Sequence, residues 1–270
     1  MYLFTNRTQP LLPYLAQIWS FRLLVLSLAR RDWKIKYAQT FLGVLWSVIQ
    51  PIVGLLIFTF FFERVIPIGD KIDYPYAIFA FSGMICWYYF SFNVTQGGTA
   101  LLQHQDLIKK IYFPRIVLPL SKAMVGLADF FTALALLFIL MLVKGYIPGK
   151  NFLFFPLFLA ANIIVGLSVS IWLSALTIRY RDFNHIIPYL INFGIWLTPV
   201  FYPATLIPEA YAYFIYLNPV AGAIDGFRWC LIEGSTFPIQ YWTGFMIAGI
   251  LFVSGVIYFR KVENELTDWI

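Results

Sequence analysis

Long apolar runs separated by short charged segments set the pattern of this chain. The first run extends from about Phe41 to Phe62. At about 1.5 Å of rise per residue it can cross the hydrocarbon core of a bilayer. Further runs cover 76–102, 118–143, 152–178, 183–202 and 241–259. Charge gathers where they end, at Lys109, Lys110 and Arg115, at Lys144 and Lys150, at Arg179 and Arg181, and at Arg260 and Lys261. The pattern predicts an all-α polytopic membrane protein, one transmembrane domain over 1–270 with six transmembrane helices. Pro188 and Pro199 are expected to kink the fifth helix.

Two stretches depart from long spans. Residues 1–19 are weakly patterned and are expected in the cytoplasm. Across 20–38, Phe21, Leu24, Val25 and Leu28 recur at helical spacing beside Arg22, Arg30, Arg31 and Lys34. That spacing predicts an amphipathic helix lying in the membrane interface, its cations reaching lipid phosphates. Residues 209–233 hold two short apolar pieces split by Asn218 and Pro219. Neither can span alone, so a re-entrant helical hairpin on the outer side is expected, its irregular backbone buried in protein or facing water.

Charge placement gives the orientation. With both termini inside, 14 of the 19 basic residues fall on the inner side: Arg7, Arg22, Arg30, Arg31, Lys34, Lys36, Lys109, Lys110, Arg115, Lys122, Arg179, Arg181, Arg260 and Lys261. Arg64, Lys71, Lys144, Lys150 and Arg228 fall outside. This is the positive-inside bias. The chain is 61% hydrophobic and 12% charged, against roughly 25% charged in soluble domains. The net charge of +6 therefore reads as topology, and no nucleic-acid partner is expected. No run resembles a cleavable signal peptide, so the first apolar run is expected to stay as an anchor.

The chemistry of common enzymes is missing from the sequence. No GxxxxGK[ST] phosphate loop, GxSxG or HExxH occurs, and His104 and His185 stand apart without neighbouring ligands. Cys86 and Cys230 read as isolated small apolar side chains. No catalytic or metal residue is expected, and no internal or inverted repeat of the kind found in carriers is visible. Asp129 falls near the middle of the third span. An ionised carboxylate there costs about 2.5–3.5 kcal/mol, so it is expected to be hydrogen-bonded to a partner.

Three spans carry a polar and aromatic stripe: Ser47, Gln50, Gly54 and Phe58; Ser82, Cys86, Tyr89, Asn93 and Gln96; and His185, Tyr189, Asn192 and Trp196. Such faces turn away from lipid, either into helix packing or onto a conduit. Of these, Ser47, Gln50, Phe58, Tyr89, Asn93, Gln96, Tyr189, Asn192 and Trp196 are the candidate channel lining. Rings pack on the apolar faces of pyranoses and amides meet their hydroxyls, so such a wall suits sugars. Trp87, Tyr88 and Phe90 are expected to face lipid or neighbouring helices.

Several short runs, in order, resemble the membrane subunit of polysaccharide-exporting ABC transporters. They are Arg31-Asp32, Lys36-Tyr37, Thr40, Leu42-Gly43, Trp46 and Pro51, then Leu107 to Lys110 with Phe113-Pro114, then Arg179 to Asp182 and Asn218-Pro219. Glu263 and Asp268 complete the resemblance, which covers essentially the whole chain. It implies a type-2 exporter fold, a homodimer, and a separate nucleotide-binding subunit that carries ATP and Mg, leaving this chain without a cofactor. The cargo implied is a lipid-linked O-antigen, capsule or teichoic acid chain. A coupling helix toward the ATPase would fall at 103–110, with Gln103, His104, Asp106, Lys109 and Lys110. Arg30, Arg31, Lys34 and Lys36 on the interface helix would meet the lipid pyrophosphate. A small-molecule exporter of the same superfamily and an ATP-independent channel or carrier are the alternatives.

Overall fold

The computed structural model describes residues 11–38, 40–66, 72 and 74–265, the side chains of 11, 12, 15, 64, 264 and 265 excepted. Arg7, Lys71, Asp73 and Asp268 lie outside the described residues. In chain order the helices are α1 (Leu11–Ser20), α2 (Arg22–Tyr37), α3 (Trp46–Thr59), α4 (Tyr76–Phe92), α5 (Ala100–Gln103), α6 (Gln105–Lys110), α7 (Val117–Val143), α8 (Phe155–Arg179), α9 (Phe183–Leu197), α10 (Glu209–Leu217), α11 (Pro219–Leu231) and α12 (Tyr241–Glu265). Among the described residues there is no strand. Short 3-10 and π turns extend several of these helices.

Among the described residues five helical stretches are long and apolar enough to cross a membrane: Gly43–Glu63, Tyr76–Gly97, Val117–Val143, Lys150–Arg179 and Tyr241–Glu263. The region expected as the fifth of six spans differs. Its helix α9 has 15 residues, about 22 Å of rise, and stops at Leu197. Pro199 ends this helix instead of kinking it, because the residue before a proline is driven out of the α region. Thr198 is accordingly extended, at φ −106° and ψ 137°. Pro188 is accommodated inside the helix.

The N-terminal region is more ordered than its weak patterning predicts. Helix α1 precedes α2, and Tyr14 is buried in it. It packs with Leu28, Ile108, Phe113 and Phe259 in a core at one end of the molecule. Tyr14 donates to Glu263 at 2.9 Å, and the Arg115 backbone N–H donates to the same carboxylate at 2.6 Å. Helix α3 begins after Gly43, whose φ of +51° is a turn that L side chains resist.

Helix α4 is the central element: it is buried along nearly its whole length, whereas α3 buries only Ser47 and Pro51. It packs on α7, α8 and α11, and α3 lies along one side of it. Interlocked rings fill the larger core, with Phe130 and Phe155 edge-on or tilted against Phe227 at 5.8 and 5.3 Å between centroids. Such pairs add about 0.5–1.5 kcal/mol beyond the area they bury.

The two ends of the bundle are built differently. One gathers α1, α2, α6, the start of α7 and the end of α12, with most of the described basic residues. The other gathers the start of α4, the end of α7, α10 and α11. There Arg228 of α11 is 3% exposed. It donates to the carbonyls of Pro199 at 2.8 Å and Val200 at 2.6 Å, and to Phe79 at 3.3 Å. It also pairs with Asp225 at 3.1 Å and lies 3.6 Å above the Phe79 ring. Tyr241 donates to Asp225 in turn. Asn218 caps α11 through the Val220 N–H at 3.0 Å, and its amide donates to Thr198. The break at Asn218 and Pro219 is therefore tied to the loop after α9.

Candidate functional site

Helix α2 packs lengthwise on the first half of α7, and its charged end is turned onto that helix. Lys122 lies 2.8 Å from Asp32, and Arg31 donates twice to the other Asp32 oxygen, at 3.0 and 2.9 Å. Burial alone would raise the Asp32 carboxyl. The polar contacts of His104, Lys122 and Arg31 more than offset this and hold it well below the usual carboxylate range. Arg31 also donates to His104 Nε2 at 2.7 Å, while His104 Nδ1 lies 2.9 Å from the Ala100 carbonyl. The cluster joins α2, α7 and the turn between α5 and α6 in one network.

One turn further on, Lys36 pairs with Asp129, and Tyr37 donates to the other oxygen of the same carboxylate. Asp129 is halfway along α7, so the end of α2 reaches the middle of that span. The Lys36 ammonium lies 4.7 Å from the centroid of Phe92.

This pair borders a cavity of about 560 Å³ between α2, α3, α4 and α7. Its walls include Tyr37, Ser47, Gln50, Tyr88, Tyr89, Phe92, Thr95, Gln96 and Phe130. A second cavity of about 540 Å³ shares Lys36, Phe92 and Gln96 with the first and extends to Arg31, Gln103, His104, Asp106 and Lys122. Together they form a groove from the basic end to the middle of the bundle. It offers rings, amides, hydroxyls and paired charges, the set that holds polyols. Among the described residues no three His, Cys, Asp or Glu side chains gather as a metal site.

The expected residues divide on this geometry. Ser47, Gln50, Tyr89 and Gln96 line the groove, and Lys36, Arg31, Gln103, His104 and Asp106 join it. Lys109, Lys110, Arg30 and Lys34 are exposed at the basic end. Phe58 stacks on Phe201 at 3.7 Å, away from the groove. Asn93 is 1% exposed and packs against Gly166 of α8. Tyr189, Asn192 and Trp196 stand exposed on α9. On α4 and the turn that extends it the cavity wall takes Ile85, Tyr88, Phe92 and Thr95 beside Tyr89 and Gln96, so the expected stripe divides: Tyr89 and Gln96 reach the cavity, whereas Ser82, Cys86 and Asn93 are buried away from it. Tyr88 therefore borders the cavity, whereas Trp87 and Phe90 are in the core. Tyr37, Phe92 and Asp129 were absent from the expected lining. Helical spacing from Gln96 back to Tyr88 is the signal that finds this face.

Several apolar helices, a polar groove between them and a helical network at the basic end define a multi-pass membrane protein of transporter type. The family model described as ABC-2 type transporter matches residues 24–232. The chain belongs to the ABC-2 type transporter family. It is similar to the O-antigen export system permease protein RfbA of Klebsiella pneumoniae, 30% identical over 91% of this chain and 94% of that relative. The protein of the same description from Myxococcus xanthus is 29% identical over 78% of this chain and 81% of its own length. The polysialic acid transport protein KpsM of Escherichia coli is 22% identical, covering 88% and 93%.

Proposed function

We propose that this chain is the membrane subunit of an ATP-driven exporter that moves a lipid-linked polysaccharide out of the cytoplasm across the inner membrane. The observation that carries the reading is the groove of tyrosines, glutamines and hydroxyls running inward from the basic end. The similarity to the two O-antigen export permeases supports it.

Two copies form the conduit, with α3 and α9 toward the partner. The open face of α3 and the exposed Tyr189, Asn192 and Trp196 of α9 suit such a contact. Helix α9 with the Thr198–Tyr202 loop supplies a sixth crossing, and α10 with α11 forms an outward re-entrant hairpin. Both termini face the cytoplasm, in keeping with the basic residues gathered at that end. ATP and Mg are bound by a separate subunit, because this sequence has no phosphate loop of its own. That subunit presses on Gln103 to Lys110, where Asp106, Lys109 and Lys110 are exposed. The network of His104, Arg31, Asp32 and Lys122 carries the push to α2 and α7. Arg30 and Lys34, exposed on α2, meet the lipid pyrophosphate as the chain enters.

Deletion of the gene tests this reading. The expected result is loss of a surface glycan with its lipid-linked precursor held inside, restored only when the ATPase subunit is also present. Intact surface glycan with lost efflux of amphiphilic small molecules points to a drug exporter. Transport by this chain without an ATPase points to a channel or carrier. Reversing Arg30 and Lys34 to glutamate is expected to abolish export while leaving membrane insertion intact.

A further inference from the structure

The first cavity has two charged side chains in its wall, Lys36 and Asp129, and they are paired with each other. Both are partly exposed, 34% and 26%, so both face the space a cargo would occupy. The other polar walls are uncharged: Ser47, Gln50, Thr95 and Gln96. A lysine at such a mouth, backed by the ring of Phe92, is by itself an anion site. Asp129 cancels it. In the second cavity, Asp32 and Asp106 stand in the same wall as Arg31 and Lys122, two charges of each sign, with Asp32 paired to both cations. A wall whose charges are already paired gives an acidic chain no counter-charge to offset its lost hydration, so it discriminates against that chain and not against a neutral one.

We propose that Asp129 determines the charge class of the cargo: by taking up Lys36 it leaves an electroneutral passage that accepts uncharged glycan and rejects acidic glycan. The inference rests on the glycan-export reading and narrows its substrate class. Asp129 is a specificity residue in this account. Its carboxylate oxygens accept from Lys36 and Tyr37, which fixes where the negative charge stands.

The test measures binding to the full-length chain in lipid nanodiscs. Three probes are used: a neutral maltooligosaccharide, an oligogalacturonate of equal length, and inorganic pyrophosphate as an anion without sugar. Wild type is expected to favour the neutral probe by about tenfold, the factor that about 1.4 kcal/mol supplies. Asp129→Asn is expected to gain about tenfold for both anions, and the Lys36→Gln, Asp129→Asn pair to lose that gain. Lys36→Gln alone keeps the carboxylate, so it must bind the acidic probe more weakly than wild type. That variant decides the matter should Asp129→Asn fail to insert. Equal binding of acidic and neutral probes by wild type overturns the proposal and leaves glycan export standing. So does an unchanged anion affinity in Asp129→Asn. If neither oligosaccharide binds wild type while Asp129→Asn still gains pyrophosphate, the charge lock holds and the cargo reading falls.

Discussion

Two ion pairs in this molecule have similar members and opposite settings. Arg228 is buried with Asp225 beside it only 16% exposed, and the guanidinium is held by carbonyls, a carboxylate and the Phe79 ring. Lys36 and Asp129 are half-open to a cavity, and their partners come from helices that meet only along one face. A saturated buried pair cannot shift without leaving several groups unpaired, so it fixes a position. A half-exposed pair can exchange partners with water or ligand at little cost, so it can respond. The first pins the hairpin to the loop after α9 and the start of α4. The second stands where a substrate would pass.

The comparison predicts a graded series. Arg228→Met should cost about 3–5 kcal/mol, because Asp225 and three carbonyls lose their donor. A fall in detergent-solubilised thermal stability large enough to prevent purification is the expected outcome. Near-native stability would make the two pairs alike. Gly226→Ala comes next, on the same helix. Its added Cβ would sit 2.0 Å from the Phe158 ring, an overpacking worth about 1–3 kcal/mol.

Asp32→Asn should cost about 1.5–3 kcal/mol, the scale of hydrogen bonds to a charged group. Its effect depends on pH. The folded carboxyl is held below its unfolded value, so its contribution is present above about pH 4 and is lost as pH falls through the folded value. The variant should therefore flatten the acid limb of the stability curve, as thermal scans at descending pH would reveal. The smallest stability change is expected for the Lys36→Gln, Asp129→Asn pair. At that exposure it should cost no more than about 1 kcal/mol. A loss as large as that of Arg228→Met would show that both pairs serve only to hold the fold.

Much of the architecture was legible because lipid imposes a simple rule on long apolar runs. Helices α7 and α8 begin and end within a few residues of the expected 118–143 and 152–178. The split at Asn218 and Pro219 was also readable, since proline and a capping side chain mark it locally. The end of α9 was misjudged because Pro199 acts on the residue before it, and Thr198 leaves the helix. The groove was only half legible. Gln50 and Gln96 announce themselves as amides in apolar sequence, but the stripe they suggest on α4 divides, with Tyr89 and Gln96 on the cavity and Ser82, Cys86 and Asn93 buried away from it. Pairing of Lys36 with Asp129 joins residues 93 positions apart, which periodicity cannot foresee.

The central claim is that glycan travels in the groove beside α3, α4 and α7. A photo-crosslinking residue placed at Gln50 or Gln96, in cells making the polymer and the ATPase, tests it most directly. The account predicts a high-mass glycan adduct at both positions and none at Ile164, exposed on α8. Absence of glycan from Gln50 and Gln96, with labelling of lipid alone, would contradict it.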